Sequence, residues 1–225
     1  MIKKIRTTPR REASLSRDRI VEASIELLDR NGEAGLTFRA LSERLATGPG
    51  ALYGHIANKD DLLIAACDAI VARTMSECAI GATPQATLRA MALGMFDTIV
   101  AHPWVGSALT RALGQLPIVR LLERTGQQVG ALGVPEDEQW AAVSALLSYI
   151  LGVGGQNAVN GQLARARDID RSTFLEGLST TWSQLDPQTY PFTRRVAGRL
   201  RSHDDRADFL AGFDFILRGI ERSSS

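Results

Sequence analysis

The chain has 225 residues, of which 44% are hydrophobic and 23% charged, a composition typical of a soluble globular protein of one large or two small domains. Its formal net charge of +1 excludes a strongly acidic or strongly basic protein, so charge has to be examined locally. A secretory signal requires an apolar segment after its basic start, and no such segment follows the basic residues here. The longest apolar stretch, 141–153, is too short to span a membrane. We therefore expect a cytoplasmic protein with no membrane partner.

The amino terminus is where the charge is uneven. Five basic residues and no acidic residue precede Glu12, and Pro9 interrupts them: Lys3, Lys4, Arg6, Arg10 and Arg11. This pattern predicts a basic, flexible arm over residues 1–13, which either keeps the protein soluble or enters a DNA minor groove.

Apolar residues recur at spacings of three and four along the rest of the chain, which predicts an all-α protein. The first helix should start near Ser16 and stop at Asn31-Gly32, and a second of about two turns should follow Thr37 as its N-cap. A third, short helix should end before Asn58, and a fourth should run from Lys59 to about Cys78. Further helices are expected at 84–101, 103–114, 116–131, 136–162, 171–185, 191–201 and 204–221.

The two cysteines, Cys67 and Cys78, lie in the fourth predicted helix, eleven residues apart. That spacing is about 16 Å along a helix, which is too far for a disulfide. We expect two free thiols in a reducing compartment.

Residues 35–63, "GLTFRALSERLATGPGALYGHIANKDDLL", contain two short amphipathic helices joined by a tight junction, which is the helix-turn-helix pattern. This segment resembles the DNA-binding segment of the tetracycline-repressor (TetR) family. "HPW" at 102–104, "YPFTRRVAGRL" at 190–200 and "FLAGFDFILRGIER" at 209–222 resemble the carboxy-terminal part of the tetracycline repressor type. The resemblance implies a three-helix DNA-binding domain at 14–60 and a larger helical ligand-binding and dimerisation domain at 61–225.

The residue types in this segment suit contacts with double-stranded DNA. Thr37 at a helix start and Lys59 at the next helix amino end can bind phosphates, and Arg39 can reach the backbone or a base edge. The resemblance implies that Tyr53 and His55 contact phosphates; alternatively Tyr53 is a half-buried core aromatic and His55 an exposed residue without a role. Base readout would rest mainly on close approach by Thr47, Gly48, Pro49, Gly50 and Ala51.

The resemblance also implies a pocket for a small-molecule effector in the larger domain. Candidate residues are large apolar or aromatic side chains and a few polar ones, each of which could instead be plain core: Met91, Met95, Phe96, His102, Trp104, Trp140, Tyr149, Gln156, Asn157, Phe174 and Trp182. The three histidines are far apart, so we expect no metal site, and only His102 lies near the place of the metal-contacting histidine of the family's magnesium-tetracycline sensor. No catalytic arrangement or cofactor motif is present, so we expect no enzyme and no cofactor.

The family resemblance implies a homodimer formed by the helices near 136–162 and 204–221. The first carries small residues at helical spacing, namely Ala141, Ala145, Ser148, Gly152 and Gly155. The second carries an apolar stripe, Phe209, Phe213, Ile216, Leu217 and Ile220, for which the core of a single subunit is an equal alternative.

The function that these observations favour is a ligand-responsive transcriptional regulator, a repressor released from a palindromic operator when a small apolar molecule binds the larger domain. Three alternatives stay open. They are an activator, an effector-independent DNA-binding regulator, and a helical small-molecule-binding protein or enzyme with a vestigial helix-turn-helix.

Overall fold

A computed structural model describes residues 15–78, 81–166 and 170–223, in which every regular element is helical, so the predicted all-α fold is confirmed. The predicted basic arm, residues 1–13, lies outside the described residues. The helices are α1 (Arg17–Gly35), α2 (Phe38–Arg44), α3 (Pro49–Leu52), α4 (Lys59–Glu77), α5 (Pro84–Ala101), α6 (Trp104–Arg111), α7 (Leu116–Ala131), α8 (Glu136–Ala166), α9 (Arg171–Ser183), α10 (Pro191–Ala197) and α11 (Asp205–Ser223), with a 3₁₀ turn over Gly198–Ser202.

Two predicted helix ends were wrong. The third helix ends at Leu52 instead of near Asn58, because the backbone N–H groups of His55 and Ile56 both bond to the Leu52 carbonyl and close a turn. The first helix is interrupted at Gly32 (φ 63°, ψ −171°), but helical structure resumes and runs to Gly35.

The chain forms two compact units that divide between Ala66 and Cys67, within α4. In the first unit, α1 packs on α2 and α2 packs on α3. Their apolar faces meet in a small core whose most buried members are Ile20, Leu28, Leu36, Leu41, Leu52 and Ile56. This core holds the two short helices in place, since helices of four and seven residues are not stable alone.

The second unit is built around α8, which packs on α5, α6, α7 and α11, while α9 packs on α10 and the 3₁₀ turn. The α5–α8 crossing is close at Gly154, where a Cβ would lie 3.1 Å from Cδ1 of Ile99. An aromatic cluster joins α5, α8 and α11: the ring of Phe96 stacks on Phe209 with centroids 4.5 Å apart, and Tyr149 stacks on Phe209 at 5.4 Å.

The apolar stripe on α11 is not an exposed interface. Phe209, Phe213 and Leu217 are at most 1% exposed and Ile220 is 9% exposed, because α11 packs this face on α5 and α8 within the subunit. These four residues belong to the core of a single subunit, which was the alternative for this stripe, while Ile216 is half-buried. The exposed large apolar residue of α11 is Phe215, at 70%.

One described helix, α8, is long and apolar enough by length and composition to cross a membrane. Its buried residues, among them Val143, Leu146 and Ile150, face the other helices of the second unit. A core helix of a soluble protein passes the same test of length and composition.

Candidate DNA-binding surface and ligand cavity

The helix-turn-helix is fixed at both helix starts by local chemistry. The Thr37 hydroxyl accepts a hydrogen bond from the Ala40 N–H (3.1 Å) and so caps α2. Helix α3 has no side-chain cap; Gly48 precedes it and Pro49 opens it, where proline costs no intrahelical hydrogen bond. The N–H of Thr47 bonds to the Ser42 carbonyl (3.0 Å) and closes the connection between the helices.

The connection turns at Ala46, whose φ of 49° lies in the left-handed region that glycine favours. The sequence pattern predicted only a tight junction between the two helices. No local signal marks it, since alanine is an ordinary helix residue.

Nine of the ten predicted DNA-contacting residues are exposed and Thr47 is half-buried. Gly48 and Gly50 have ordinary negative φ angles, and a Cβ added to either would meet no heavy atom within 4 Å. Neither packing nor backbone strain within the described chain therefore requires glycine there. The lack of side chains leaves the backbone of this turn open to close approach from outside.

Tyr53 is 61% exposed, which rules out the alternative that it is a half-buried core residue. Its ring stacks on Phe38 with centroids 4.7 Å apart and an interplanar angle of 12°. Phe38 is half-buried, and the stacking orients the Tyr53 ring. The sequence signal for this pair was weak, since Phe38 lies in α2 and Tyr53 follows the end of α3.

Arg17, which the sequence reasoning missed, ties the turn after α3 to α1 and α4. Its guanidinium donates to the His55 carbonyl (2.8 Å) and to Asp61 (3.2 Å). Lys59 donates from Nζ to the Glu33 carbonyl (2.6 Å), while Asn58 caps α4 by accepting from the Asp61 N–H (2.8 Å). The backbone that presents His55 and Lys59 is thus held by contacts across the unit.

Arg39 projects from α2 with its side chain 89% exposed, and its Nε lies 3.0 Å from Oε1 of Glu43. An exposed pair of this kind is worth about 0.3–0.5 kcal/mol. Arg39 can therefore exchange Glu43 for a phosphate or a base edge at little cost.

The second unit contains a cavity of about 850 Å³, within the size range of small-molecule sites. Five residues from the predicted ligand set line it: Phe96, Gln156, Asn157, Phe174 and Trp182. Its other walls are formed by Val100, Asn160, Gly161, Ala164, Arg171, Leu175, Leu178, Leu200, His203, Asp204, Asp205 and Arg206.

The other six predicted ligand residues lie outside this lining. Met91, Met95 and Trp104 are packed in the core at 3%, 1% and 5% exposure, and the His102 ring meets Trp104 edge-on at 6.3 Å. Trp140 is 69% exposed at the start of α8. Tyr149 donates its hydroxyl proton to the Phe209 carbonyl (2.9 Å) and holds α11.

A charged rim of the cavity was not predicted. Arg171, His203, Asp204, Asp205 and Arg206 line the cavity, and the rim also includes Asp97 and Asp208, which are not lining residues but contact Arg206 and His203. Arg171 pairs with Asp205 (2.7 Å) and donates to the His203 carbonyl, and Arg206 pairs with Asp97 through contacts of 3.0–3.2 Å. The partner carboxylates raise the pKa of Arg206, through hydrogen bonding to Asp97 first. The Arg206–Asp97 pair joins residues 109 positions apart, so local spacing carried no signal for it.

The His203 ring lies between two carboxylates of the rim. Its Nε2 is 2.9 Å from Asp205, and its Nδ1 contacts Asp208. Asp204 caps α11 through the N–H groups of Arg206 and Ala207 (both 3.0 Å), which lowers its pKa.

An exposed helix-turn-helix in one unit, together with a second helical unit that holds a cavity, defines a helix-turn-helix DNA-binding protein. Comparison with known families is consistent with this class. Residues 20–66 match the bacterial regulatory proteins of the tetR family, and residues 80–223 match the tetracyclin repressor-like C-terminal domain. The chain therefore belongs to the TetR family and is a DNA-binding transcriptional regulator.

Similar proteins support the assignment over most of the chain. A TetR transcriptional regulator of Streptomyces coelicolor is 50% identical, with a TM-score of 0.85 over 94% of this chain and 100% of that one. The class D tetracycline repressor protein of Escherichia coli is 27% identical over 93% of this chain and 90% of that protein. A helix-turn-helix-type regulator of Saccharopolyspora erythraea is 31% identical over 139 residues, which span 61% of this chain and 59% of that relative.

Proposed function

We propose that this protein is a homodimeric repressor that binds a palindromic operator and releases it when a small molecule occupies the cavity of the second unit. The observation that carries the proposal is the 850 Å³ cavity, lined by aromatic, aliphatic and amide side chains, in a chain with an exposed helix-turn-helix. The similarity to a tetracycline repressor supports both parts of the proposal. We assign the protein to the cytoplasm, where its DNA partner lies, and the role needs no cofactor, metal or catalysis.

On the DNA side, positioning and readout fall to different residues. Thr37, Tyr53, His55 and Lys59 are exposed around the two short helices and suit phosphate contacts. The turn from Thr47 to Ala51 enters the major groove with methyl groups and bare backbone. It therefore discriminates by close fit, with Arg39 as the side chain able to make directional hydrogen bonds to a base.

We propose a dimer because one helix-turn-helix contacts only a half-site of the operator. Helix α8 presents small residues on an exposed face, with Ala141, Ala145, Ser148 and Gly152 exposed and Gly155 half-buried. A face of this kind allows a second copy of α8 to approach closely. We propose that it forms the dimer interface together with the exposed side of α11.

Release requires that the effector bind more tightly to the conformation that does not hold DNA. A ligand of equal affinity for both conformations shifts nothing, and a shift from 1:99 to 99:1 needs about 10⁴-fold preference. Induction therefore requires that the effector bind the two conformations with different affinities.

The DNA part is tested by selecting bound duplexes from a random pool and measuring affinity against salt concentration. Arg39→Ala and Tyr53→Ala should weaken binding. Loss of the Arg39 charge from a phosphate should also reduce the salt slope by about 1, whereas loss of the uncharged Tyr53 side chain should leave the slope unchanged. Arg199→Ala, which removes an exposed charge from the 3₁₀ turn of the second unit, is the matched control and should change neither quantity. Unchanged DNA affinity in both helix-turn-helix variants would contradict the assignment of this surface to DNA binding.

The induction part is tested on the selected operator with a panel of apolar aromatic compounds. A compound that releases the operator should also protect the second unit against unfolding, and Phe174→Ala should weaken both effects together. Compounds that bind the cavity without altering operator affinity would instead favour an effector-independent regulator.

A further inference from the structure

The cavity has two chemically different long walls. Helix α8 contributes residues 156, 157, 160, 161 and 164, which share one helix face and include three amides. Helix α9 contributes residues 171, 174, 175, 178 and 182, again one face, of which all but the first are aromatic or aliphatic. Apart from residue 171, which belongs to the rim, neither wall offers an ionisable group.

The amides of α8 have unused hydrogen-bonding capacity. Asn157 donates from Nδ2 to the Val153 carbonyl (3.1 Å), which leaves its side-chain oxygen available. Within the part of the chain that the structure describes, the side chains of Gln156 and Asn160 form no hydrogen bond. This wall is therefore suited to polar, uncharged groups along one edge of a ligand.

The charged rim disfavours the binding of an anionic ligand. Both rim guanidiniums are already paired, Arg171 with Asp205 and Arg206 with Asp97. The rim has four carboxylates, those of Asp97, Asp204, Asp205 and Asp208, against two guanidiniums and the His203 ring. Its net charge is therefore negative whether or not the imidazole carries a proton, and an anionic ligand would have to displace a tethered carboxylate.

We infer that the effector is an uncharged aromatic molecule with hydrogen-bonding groups along one edge, and that Asp97, by occupying Arg206, makes the cavity reject anionic analogues. This inference rests on the proposed function, since it names the ligand class of the same cavity. Phe96, Phe174 and Trp182 offer ring surfaces for an aromatic ligand, while the amides bind its polar edge.

A matched pair of fluorescent probes tests the inference: N-phenyl-1-naphthylamine, and 8-anilino-1-naphthalenesulfonate, which has the same skeleton with a sulfonate added. The full-length protein should bind the neutral probe at least tenfold more tightly than the sulfonate, because both guanidiniums of the charged rim are already paired with carboxylates. Energy transfer from Trp182 reports binding in the cavity and should decrease in Trp182→Phe, in which Trp104 and Trp140 remain as donors. Phe174→Ala should weaken the neutral probe about tenfold, while Phe192→Ala, an exposed aromatic outside the lining, should not.

The decisive variant is Asp97→Asn, which keeps the side-chain shape but removes the carboxylate that is hydrogen-bonded to the Arg206 guanidinium. It should tighten sulfonate binding about threefold to tenfold and leave the neutral probe unchanged. Asp68→Asn frees Arg120 in the same way away from the cavity and should alter neither probe.

The outcomes separate the two proposals. Equal binding of both probes to the native protein, or no effect of Asp97→Asn, overturns the ligand class but leaves a ligand-binding cavity. Binding of neither probe, with the operator still bound normally, overturns the cavity as an effector site and with it the induction mechanism.

Discussion

A single residue, Ala46, sets the turn of the helix-turn-helix. It is the one non-glycine at positive φ among residues 15–78, 81–166 and 170–223. An alanine in this conformation carries a cost of about 1–2 kcal/mol because its Cβ crowds the following carbonyl oxygen. The neighbouring hydrogen bonds, from Ala46 to Glu43 and from Thr47 to Ser42, hold the residue there.

Replacing Ala46 with glycine should stabilise the protein by about 0.5 kcal/mol. The substitution removes the cost of the left-handed conformation, but glycine also makes the unfolded chain more flexible, which lowers the free energy of unfolding by about 0.4–1 kcal/mol. Urea unfolding measures the difference. Ala72→Gly, in the interior of α4, is the control of opposite sign and should destabilise by about 1 kcal/mol; destabilisation in both variants would contradict the account of the turn.

The two thiols should be slow to react at pH 8. Burial raises the pKa of Cys67 to about 12, with a further contribution from the Asp68 charge, and burial raises that of Cys78 despite the opposing charge of Arg124. A raised pKa lowers the fraction of reactive thiolate at a given pH. Titration of the native protein with a disulfide reagent should show slow reaction at Cys78 and none at Cys67, which is fully buried.

Denaturant should make both thiols react rapidly, and Cys78→Ser should leave the native protein inert. Two fast thiols in the native state would show that the burial is not maintained in solution.

At the scale of elements, α8 and α11 meet through Tyr149. Its ring stacks on Phe209, and its hydroxyl bonds to the Phe209 carbonyl, so the ring has little room to move. A Cβ built on Gly212 would overlap the Tyr149 hydroxyl and lie 2.8 Å from its Cζ. Glycine at this position allows the two helices to approach closely.

Gly212→Ala should therefore destabilise the protein by about 1–3 kcal/mol, as overpacked cores do. Gly219→Ala, on the same helix, adds a Cβ that meets nothing within 4 Å and should stabilise by up to about 1 kcal/mol. Thermal unfolding of the two variants separates crowding from helix propensity, and a neutral Gly212→Ala would mean that Tyr149 does not restrain the crossing.

At the scale of the whole molecule, the proposed repressor depends on two helix-turn-helix units, one from each subunit, that bind the operator together. Two tethered half-site contacts can exceed the affinity of either by about 10²–10⁴ without any new contact. The exposed small-residue face of α8 is the surface on which we expect this pairing to depend.

Ala145→Arg places a long charged side chain in the centre of that face and should convert the dimer into monomers. Sedimentation measures the change, and operator affinity should fall by at least about 100-fold. Ala131→Arg, at the exposed end of α7, is the matched control and should alter neither. A variant at position 145 that stays dimeric would exclude this face as the interface.

Much of the fold could be predicted because helices are specified by local spacing. Thr37 and Thr83 cap α2 and α5, and Pro84, Pro117 and Pro191 lie in the first turns of α5, α7 and α10, all signals within a few residues of the element they start. The candidate site was only partly predictable. Phe96, Gln156, Asn157, Phe174 and Trp182 line the cavity, but composition could not separate Phe96, Phe174 and Trp182 from Met95 or Trp104, which are large apolar core residues.

The sequence by itself determined the helical fold, the position of the helix-turn-helix and the resemblance to a repressor family, because each depends on residues close together in the chain. Only the tertiary structure decided which face of α11 is buried, that Phe38 supports Tyr53, and that Asp97 pairs with Arg206. The physical reason is that burial and long-range charge pairing depend on which helices meet, and helical periodicity specifies a face without specifying its partner.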